Sequence, residues 1–304
     1  MKYLSVTALV SAWVLAAVAA EGGPVRCLTP AGGFSPAFFP DGQRLVFVRE
    51  TDEGDQHLLL LDLERGKEAR VGEIDAVERP AVSPDGRWIA YVAGPVFARH
   101  IWIVDPNEPA PKRVTDRAAV RSAPSWIDGG KRLAFAEGKG EKQQVVSIDP
   151  FAEKPDPQVL EKLGKGTPTF SPCGKLAAMV TTDQKGTRHL RVVDREGRLV
   201  AEMPPVESSG GISVRGCYDP AFGPDGRYMV YVRSDIQPAS DLHWHDLAKD
   251  RSLGALTSDR SDNQMPAVSP DGKGLAFVAA KQGAIHKIYL MDLDPPAPAS
   301  QPAK

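Results

Sequence analysis

The chain has 304 residues, with 42% hydrophobic and 25% charged content, enough for one repeat-built core and little beyond it. A net charge near -2 gives no concentrated basic surface of the kind phosphate backbones require, so a nucleic-acid partner is disfavoured.

In chain order, Lys2 precedes an apolar, uncharged run from Tyr3 to Ala20 that closes on Ala16-Ala17-Val18-Ala19-Ala20. Residues 1–20 are predicted to be a secretory signal peptide, too short and alanine-rich for a membrane anchor, which leaves no membrane span after cleavage and places the mature protein in the periplasm or outside the cell. No small-residue lipobox precedes Cys27. Residues 24–29, Pro24-Val25-Arg26-Cys27-Leu28-Thr29, resemble a strand.

A turn signature then recurs six times. It is clearest as Ser83-Pro84-Asp85-Gly86-Arg87, Gly223-Pro224-Asp225-Gly226-Arg227 and Ser269-Pro270-Asp271-Gly272-Lys273. The other copies are Phe39-Pro40-Asp41-Gly42 and two drifted ones, Ile127-Asp128-Gly129-Gly130 and Ser171-Pro172-Cys173-Gly174. Ahead of each stands a marker proline: Pro36, Pro80, Pro124, Pro168, Pro220 and Pro266, spaced by 44, 44, 44, 52 and 46 residues. An aspartate (Asp62, Asp105, Asp149, Asp194, Asp246, Asp292) follows each proline by 25 or 26 residues. Such a period fits a four-stranded antiparallel blade, and six copies predict an all-β, six-bladed propeller over residues 21–294.

Within a copy, proline presets the first corner, aspartate bonds the backbone ahead and glycine takes the left-handed position. The residue after each marker proline is small (Ala37, Ala81, Ser125, Thr169, Ala221, Ala267) and the next is bulky, as converging inner strands demand. Second strands such as Trp88-Ile89-Ala90-Tyr91-Val92 are apolar on both faces, which predicts cover on both sides. The sixth copy stops after its third strand, Lys287 to Met291, so the N-terminal strand is expected to complete it and close the ring. Residues 295–304 form a Pro/Ala-rich tail expected to be disordered.

Chemistry is sparse. The sequence has no His-Glu-x-x-His, no Gly-x-Ser-x-Gly and no phosphate-cradling loop before a helix. Cys27, Cys173 and Cys217 fall at scattered places around the predicted ring, Cys217 in the long connection before the fifth unit. No disulfide or close-spaced zinc cluster is expected from them. His57, His100 and His189 share one repeat slot, with His286 within a residue of it, which favours a role in holding the blade. His243 and His245 share a strand face but show no third ligand, and Glu50 to Asp55 lacks the spacing of a calcium loop. No catalytic residue, metal or cofactor is predicted.

Function should lie where the copies differ, on the face opposite the Pro-Asp-Gly turns. The outlier is Met203 to Tyr218, which lengthens the link between the fourth and fifth units. With the rim residues before the marker prolines, it yields the candidate partner-contact set Arg79, Arg121, Glu207, Arg215, Asp219, Asp259 and Asp262.

The sixth copy, from Pro266-Ala267-Val268-Ser269-Pro270-Asp271-Gly272-Lys273 through Leu275-Ala276-Phe277-Val278 to Ile288-Tyr289-Leu290-Met291-Asp292, preceded by Leu256-Thr257, resembles the repeat of the TolB-type propellers. The likeness spans about residues 24 to 294. It implies a six-bladed periplasmic propeller and a non-catalytic scaffold of the Tol-Pal envelope system, with the peptidoglycan-associated lipoprotein as protein partner. The α/β domain that precedes the propeller in the family's namesake has no counterpart in these residues, so the resemblance is to the propeller alone. A monomeric interaction scaffold is the first expectation. The second is a secreted propeller enzyme, a metal-assisted polysaccharide lyase or hydrolase using His243, His245 and rim carboxylates.

Overall fold

The computed structural model describes residues 25–72, 77–95, 98–117, 120, 122–204, 206, 215–234, 239–281 and 284–295. The expected signal peptide and the tail beyond residue 295 lie outside them, as do Arg121 and Glu207.

The described residues are strands joined by turns and three short 3-10 turns. They fall into six consecutive units that we number in chain order, each with an inner, second, third and outer strand. Unit one comprises Phe34–Phe38, Arg44–Glu50, Gln56–Asp62 and Glu68–Arg70; unit two comprises Val77–Val82, Ile89–Ala93, His100–Asp105 and Glu108–Arg113. Unit three has Ser125–Ile127, Arg132–Glu137, Gln144–Ile148 and Gln158–Val159; unit four has Thr167–Phe170, Leu176–Thr182, Thr187–Asp194 and Leu199–Glu202. Unit five runs Arg215–Phe222, Tyr228–Ser234, Asp241–Asp246 and Arg251–Ala255, and unit six Asp262–Val268, Gly274–Ala280 and Lys287–Asp292.

The outer strand of unit six is Arg26–Cys27, paired antiparallel with Lys287–Asp292 in the register Arg26 to Leu290 and Cys27 to Tyr289. Thr29, fully buried, fastens this junction: its Oγ1 accepts the Ile288 N–H at 2.8 Å, and the Leu28 N–H donates to the Ile288 carbonyl at 2.8 Å. Within each unit the pairings are antiparallel. Units four and five are also joined edge to edge, by a short parallel pairing of Thr187 and Arg188 with Arg215 and Gly216.

Alternation along the second strands explains how the units stack. In unit one, Val46 and Val48 pack against Ile89, Tyr91 and Val104 of unit two, while Leu45 and Phe47 pack against Ala276, Val278 and Ile288 of unit six. The same division repeats between each neighbouring pair, so successive apolar side chains point into alternate interfaces. Every residue of Ile89–Ala93 is buried as a result. Each fully buried Val, Leu or Ile contributes about 1.5–3 kcal/mol. The inner strands touch in the order one to six, and the sixth touches the first.

The marker aspartates stand at the last residue of a third strand or, for Asp149, just past it. Asp62, Asp105, Asp149, Asp194 and Asp246 each accept a backbone N–H two residues ahead (Glu64, Asn107, Phe151, Glu196, Ala248) at 2.9–3.1 Å. This side-chain turn sends the chain into the outer strand that follows.

One expectation needs correction. Cys217 was expected in the long link, but it lies inside the inner strand of unit five, buried, with its thiol directed at the Pro204 carbonyl at 3.8 Å. A bulge at Asp219-Pro220 breaks the period-two pattern there, which hides the strand from a reading of alternation.

Candidate functional site

The Pro-Asp-Gly turns crowd together at one end of the inner strands. In Ser83 to Trp88 the Ser83 hydroxyl donates to Asp85 at 2.5 Å and accepts the Trp88 N–H at 2.9 Å, while Asp85 accepts the Arg87 N–H at 3.0 Å. Ser269 to Gly274 repeats the same three bonds. Each turn glycine nestles on the preceding unit's turn: a Cβ on Gly86 would stand 3.4 Å from Pro40 Cδ, one on Gly130 3.1 Å from Pro84 Cδ, and one on Gly272 3.3 Å from Pro224 Cδ.

A cavity of 1390 Å³ is lined by all six inner strands. The small residues Ala37, Ala81, Ser125, Thr169, Ala221 and Ala267 all line it, as the sequence pattern anticipated. Trp126 locks one wedge by donating its indole N–H to the Ala81 carbonyl of the preceding unit at 3.0 Å.

The cavity end away from the turns is built differently. Four inner strands slip register immediately before the marker proline, and the residues there, Ser35, Arg79, Asp219 and Met265, have φ of 52°, 52°, 46° and 49°. A non-glycine residue in the left-handed region costs about 1–3 kcal/mol. A bulge turns the side chain out of the alternation and aims it anew, here at the cavity lining that all four share. Units three and four keep regular pairing through Ser125–Ile127 and Thr167–Phe170.

Two of these strained residues are an acid and a base, Asp219 and Arg79. Asp219 retains a partly open surface on the cavity, yet it is enclosed by the surrounding strands. Burial pushes its carboxyl above the ordinary carboxylate range, opposed by the nearby Arg79 and Arg188 guanidiniums and the Met265 N–H. Arg188 lies over the Tyr218 ring at 4.5 Å from its centroid. The Tyr218 phenol is pushed up to about 12, chiefly by burial and then by the charges of Asp219 and Asp262, with Ser240 and Arg188 pulling the other way. Lys139, Lys165 and Glu141 also border the cavity, and Lys165 pairs with Glu141 at 2.5 Å.

Residues 25–213, more than half of the chain, match the TolB beta propeller domain family. The chain belongs to the TolB beta-propeller family. It is 23% identical over 219 residues to the Tol-Pal system protein TolB of Francisella tularensis subsp. holarctica (strain OSU18), covering 72% of this chain and 49% of that protein. The crystal structure of TolB from Acinetobacter baumannii superposes with a TM-score of 0.63 at 21% identity, over 80% of this chain and 57% of that one. The oligogalacturonate lyase of Vibrio parahaemolyticus superposes with a TM-score of 0.60 at 15% identity, over 89% and 93% of the two chains. At these identities the structural likeness is one of fold. The chain spans about half the length of the curated TolB relatives it matches.

Within this TolB-family propeller, the sequence-derived candidates separate into groups. Arg79 and Asp219 line the same cavity, near enough for the Arg79 charge to act on the Asp219 carboxyl. Asp262, whose charge acts on the Tyr218 phenol, accepts from Ser240 Oγ at 2.6 Å and Gln264 Nε2 at 2.5 Å and is not part of the cavity lining. Asp259 belongs elsewhere, in a crevice between units five and six. Arg215 opens the inner strand of unit five. Arg188 and Tyr218 were missed by sequence reasoning. The signal for Arg188 is its neighbour Gly216, whose φ of 109° and lack of a side chain admit the Arg188 backbone at the parallel pairing.

Three of the histidines are engaged within their own units. His100 Nδ1 pairs with the Thr115 carbonyl at 2.8 Å and His189 Nε2 with Asp183 at 3.2 Å. His245 Nε2 pairs with Asp250 at 3.0 Å, inside the turn that follows its strand. Among the described residues no three His, Cys, Asp or Glu side chains converge as a metal-binding group.

Proposed function

We propose that the chain is a six-bladed, ring-closed propeller that acts, after export, as a non-catalytic envelope scaffold. The mouth bearing Arg79, Arg188, Tyr218 and Asp219 is its protein-binding surface. The closed cycle of inner-strand contacts and the first-to-last strand pairing support the ring. One observation carries the functional reading: Arg79 and Asp219, a base and an acid, both occupy strained left-handed positions on the same cavity. Strain of this kind persists where a surface must be presented in one fixed arrangement. The Tol-Pal relatives supply the partner class, and the peptidoglycan-associated lipoprotein of the same organism is the first candidate.

Calorimetric titration of that purified lipoprotein into the mature propeller tests the reading. Saturable binding that Arg79→Ala and Asp219→Ala weaken is expected, and absence of binding removes the Tol-Pal assignment. The lyase-like reading draws on the fold likeness alone, and pairing of His245 with Asp250 occupies one of its expected groups. Release of unsaturated uronides from polygalacturonate in the presence of manganese would establish it instead.

A further inference from the structure

A second cavity, of 230 Å³, lies between units five and six, away from the central one. Its walls are largely apolar, from Leu256, Phe277, Tyr289 and Met291, with the Phe277 and Tyr289 rings stacked 6.0 Å apart. At its border sits Asp259, half-buried and held in place by three hydrogen bonds. Its Oδ1 accepts the Ser261 N–H at 3.1 Å and Asn263 Nδ2 at 3.0 Å, and its Oδ2 accepts the Ser261 hydroxyl at 2.9 Å. Beneath it Asn263 is fully buried, and its Oδ1 accepts no hydrogen bond among the described residues.

We propose that this crevice is a binding site for a small amphipathic amine, a single ammonium group on a compact apolar body, with Asp259 as the counter-ion. The inference does not rest on the scaffold reading above. Size sets the class of guest: a dry cavity of about 150 Å³ holds benzene and drug-sized sites begin near about 300 Å³, so the present volume suits one ring with a short arm. Charge sets the head group. A half-buried carboxylate is stabilised by a cation or donors, and among the described residues Asp259 has neutral donors only, while the Asn263 oxygen adds a further acceptor and no donor. The hydrogen bonds from Ser261 and Asn263 outweigh burial and keep the Asp259 carboxyl below its ordinary range, so it is charged at neutral pH. Lys281 and Lys287 also border the crevice. Lys281 is exposed and Lys287 only partly buried, so both can keep water on their ammonium groups, whereas Asp259 is already fixed, and the carboxylate loses less on pairing.

The test titrates 2-phenylethylamine, 2-phenylethanol and 3-phenylpropionate into the full propeller, followed by ligand-observed NMR. A hydrogen-bonded charge pair in this setting makes the amine about tenfold tighter than the alcohol. Asp259→Asn should abolish that margin, and Ala284→Leu, which fills the crevice from its exposed rim, should remove binding of both. A melting scan of each variant shows whether it is folded. Ala284→Leu leaves the carboxylate and its three donors intact, so it decides the matter if Asp259→Asn unfolds. Equal binding of amine and alcohol, tighter binding of the acid, amine binding that survives Ala284→Leu, or no binding at all would each overturn the proposal.

Discussion

Gly42, in the first turn of the chain, lies over the ring of Pro270, in the last: a Cβ built on Gly42 would stand 3.9 Å from Pro270 Cδ. The first and sixth units thus meet at the turn end as other neighbours do, and they meet again where Arg26–Cys27 pairs with the third strand of unit six.

That junction should be a point of weakness when cut. Thr29→Val leaves the buried Ile288 N–H without its acceptor, which costs about 1–3 kcal/mol. Deleting residues 24–29 should cost more, because it exposes the edge of Lys287–Asp292 and uncovers Met291. Denaturant melts of the two variants measure both; a deletion variant as stable as the parent would refute the role given to this strand.

Gly86→Ala forces a Cβ onto φ of 71° beside Pro40 and should destabilise by about 1 kcal/mol or more. Gly216→Ala should cost considerably more, since its Cβ would enter the Arg188 backbone. It should also displace Arg188 and weaken partner binding at the mouth, whereas Gly86→Ala should leave binding unchanged. Chemical denaturation paired with calorimetry separates the two effects.

Acid should loosen the turns. The Ser83 hydroxyl and the Arg87 N–H hold Asp85 below its ordinary 3.8, and Ser269 and Lys273 do the same for Asp271. Their stabilisation is present above pH 3.8 and is lost as pH falls through the lowered values. Asp219 has the opposite sign: its raised carboxyl favours the fold while protonated, and that advantage disappears as pH rises through the raised value. Relative to the parent, Asp219→Asn should therefore gain stability as pH rises from the acid limb. Ser83→Ala should flatten the limb below pH 3.8. Melting temperature against pH for the three proteins checks both signs.

Cys173 stands where other turns carry aspartate. Burial raises its thiol, but the Ser171 hydroxyl, the Lys175 N–H and the Lys175 charge prevail and hold it below 9.0. Being exposed, it should alkylate faster than buried Cys217, and Ser171→Ala should slow it. Cys173→Asp should restore the bond that Asp85 makes to the Arg87 N–H and stabilise by about 0.5–1.5 kcal/mol. Iodoacetamide kinetics and a thermal melt read these out.

The repeat was legible because turns are local chemistry: Ser83, Pro84, Asp85 and Gly86 form their bonds within six residues of chain. The N-terminal strand was legible because the last unit lacked its outer strand. Arg79 and Asp219 could be placed at the rim by counting from the prolines, but their left-handed backbone could not, since nothing in Arg79-Pro80 or Asp219-Pro220 distinguishes a bulge from the regular Thr167-Pro168. Arg188 escaped because it joins the site through a parallel pairing between two units, a relationship no single repeat contains. Asp259 was drawn to the rim by its charge, whereas its three hydrogen bonds hold it in the side crevice.

That parallel pairing makes the molecule uneven in a way its repeat conceals. Units four and five form one sheet, while the other sheets have four strands each and meet their neighbours chiefly through side chains. Backbone amides in units four and five should therefore exchange with solvent in a shared opening event, a double-sized cooperative block with the Arg188 and Asp219 mouth at its seam.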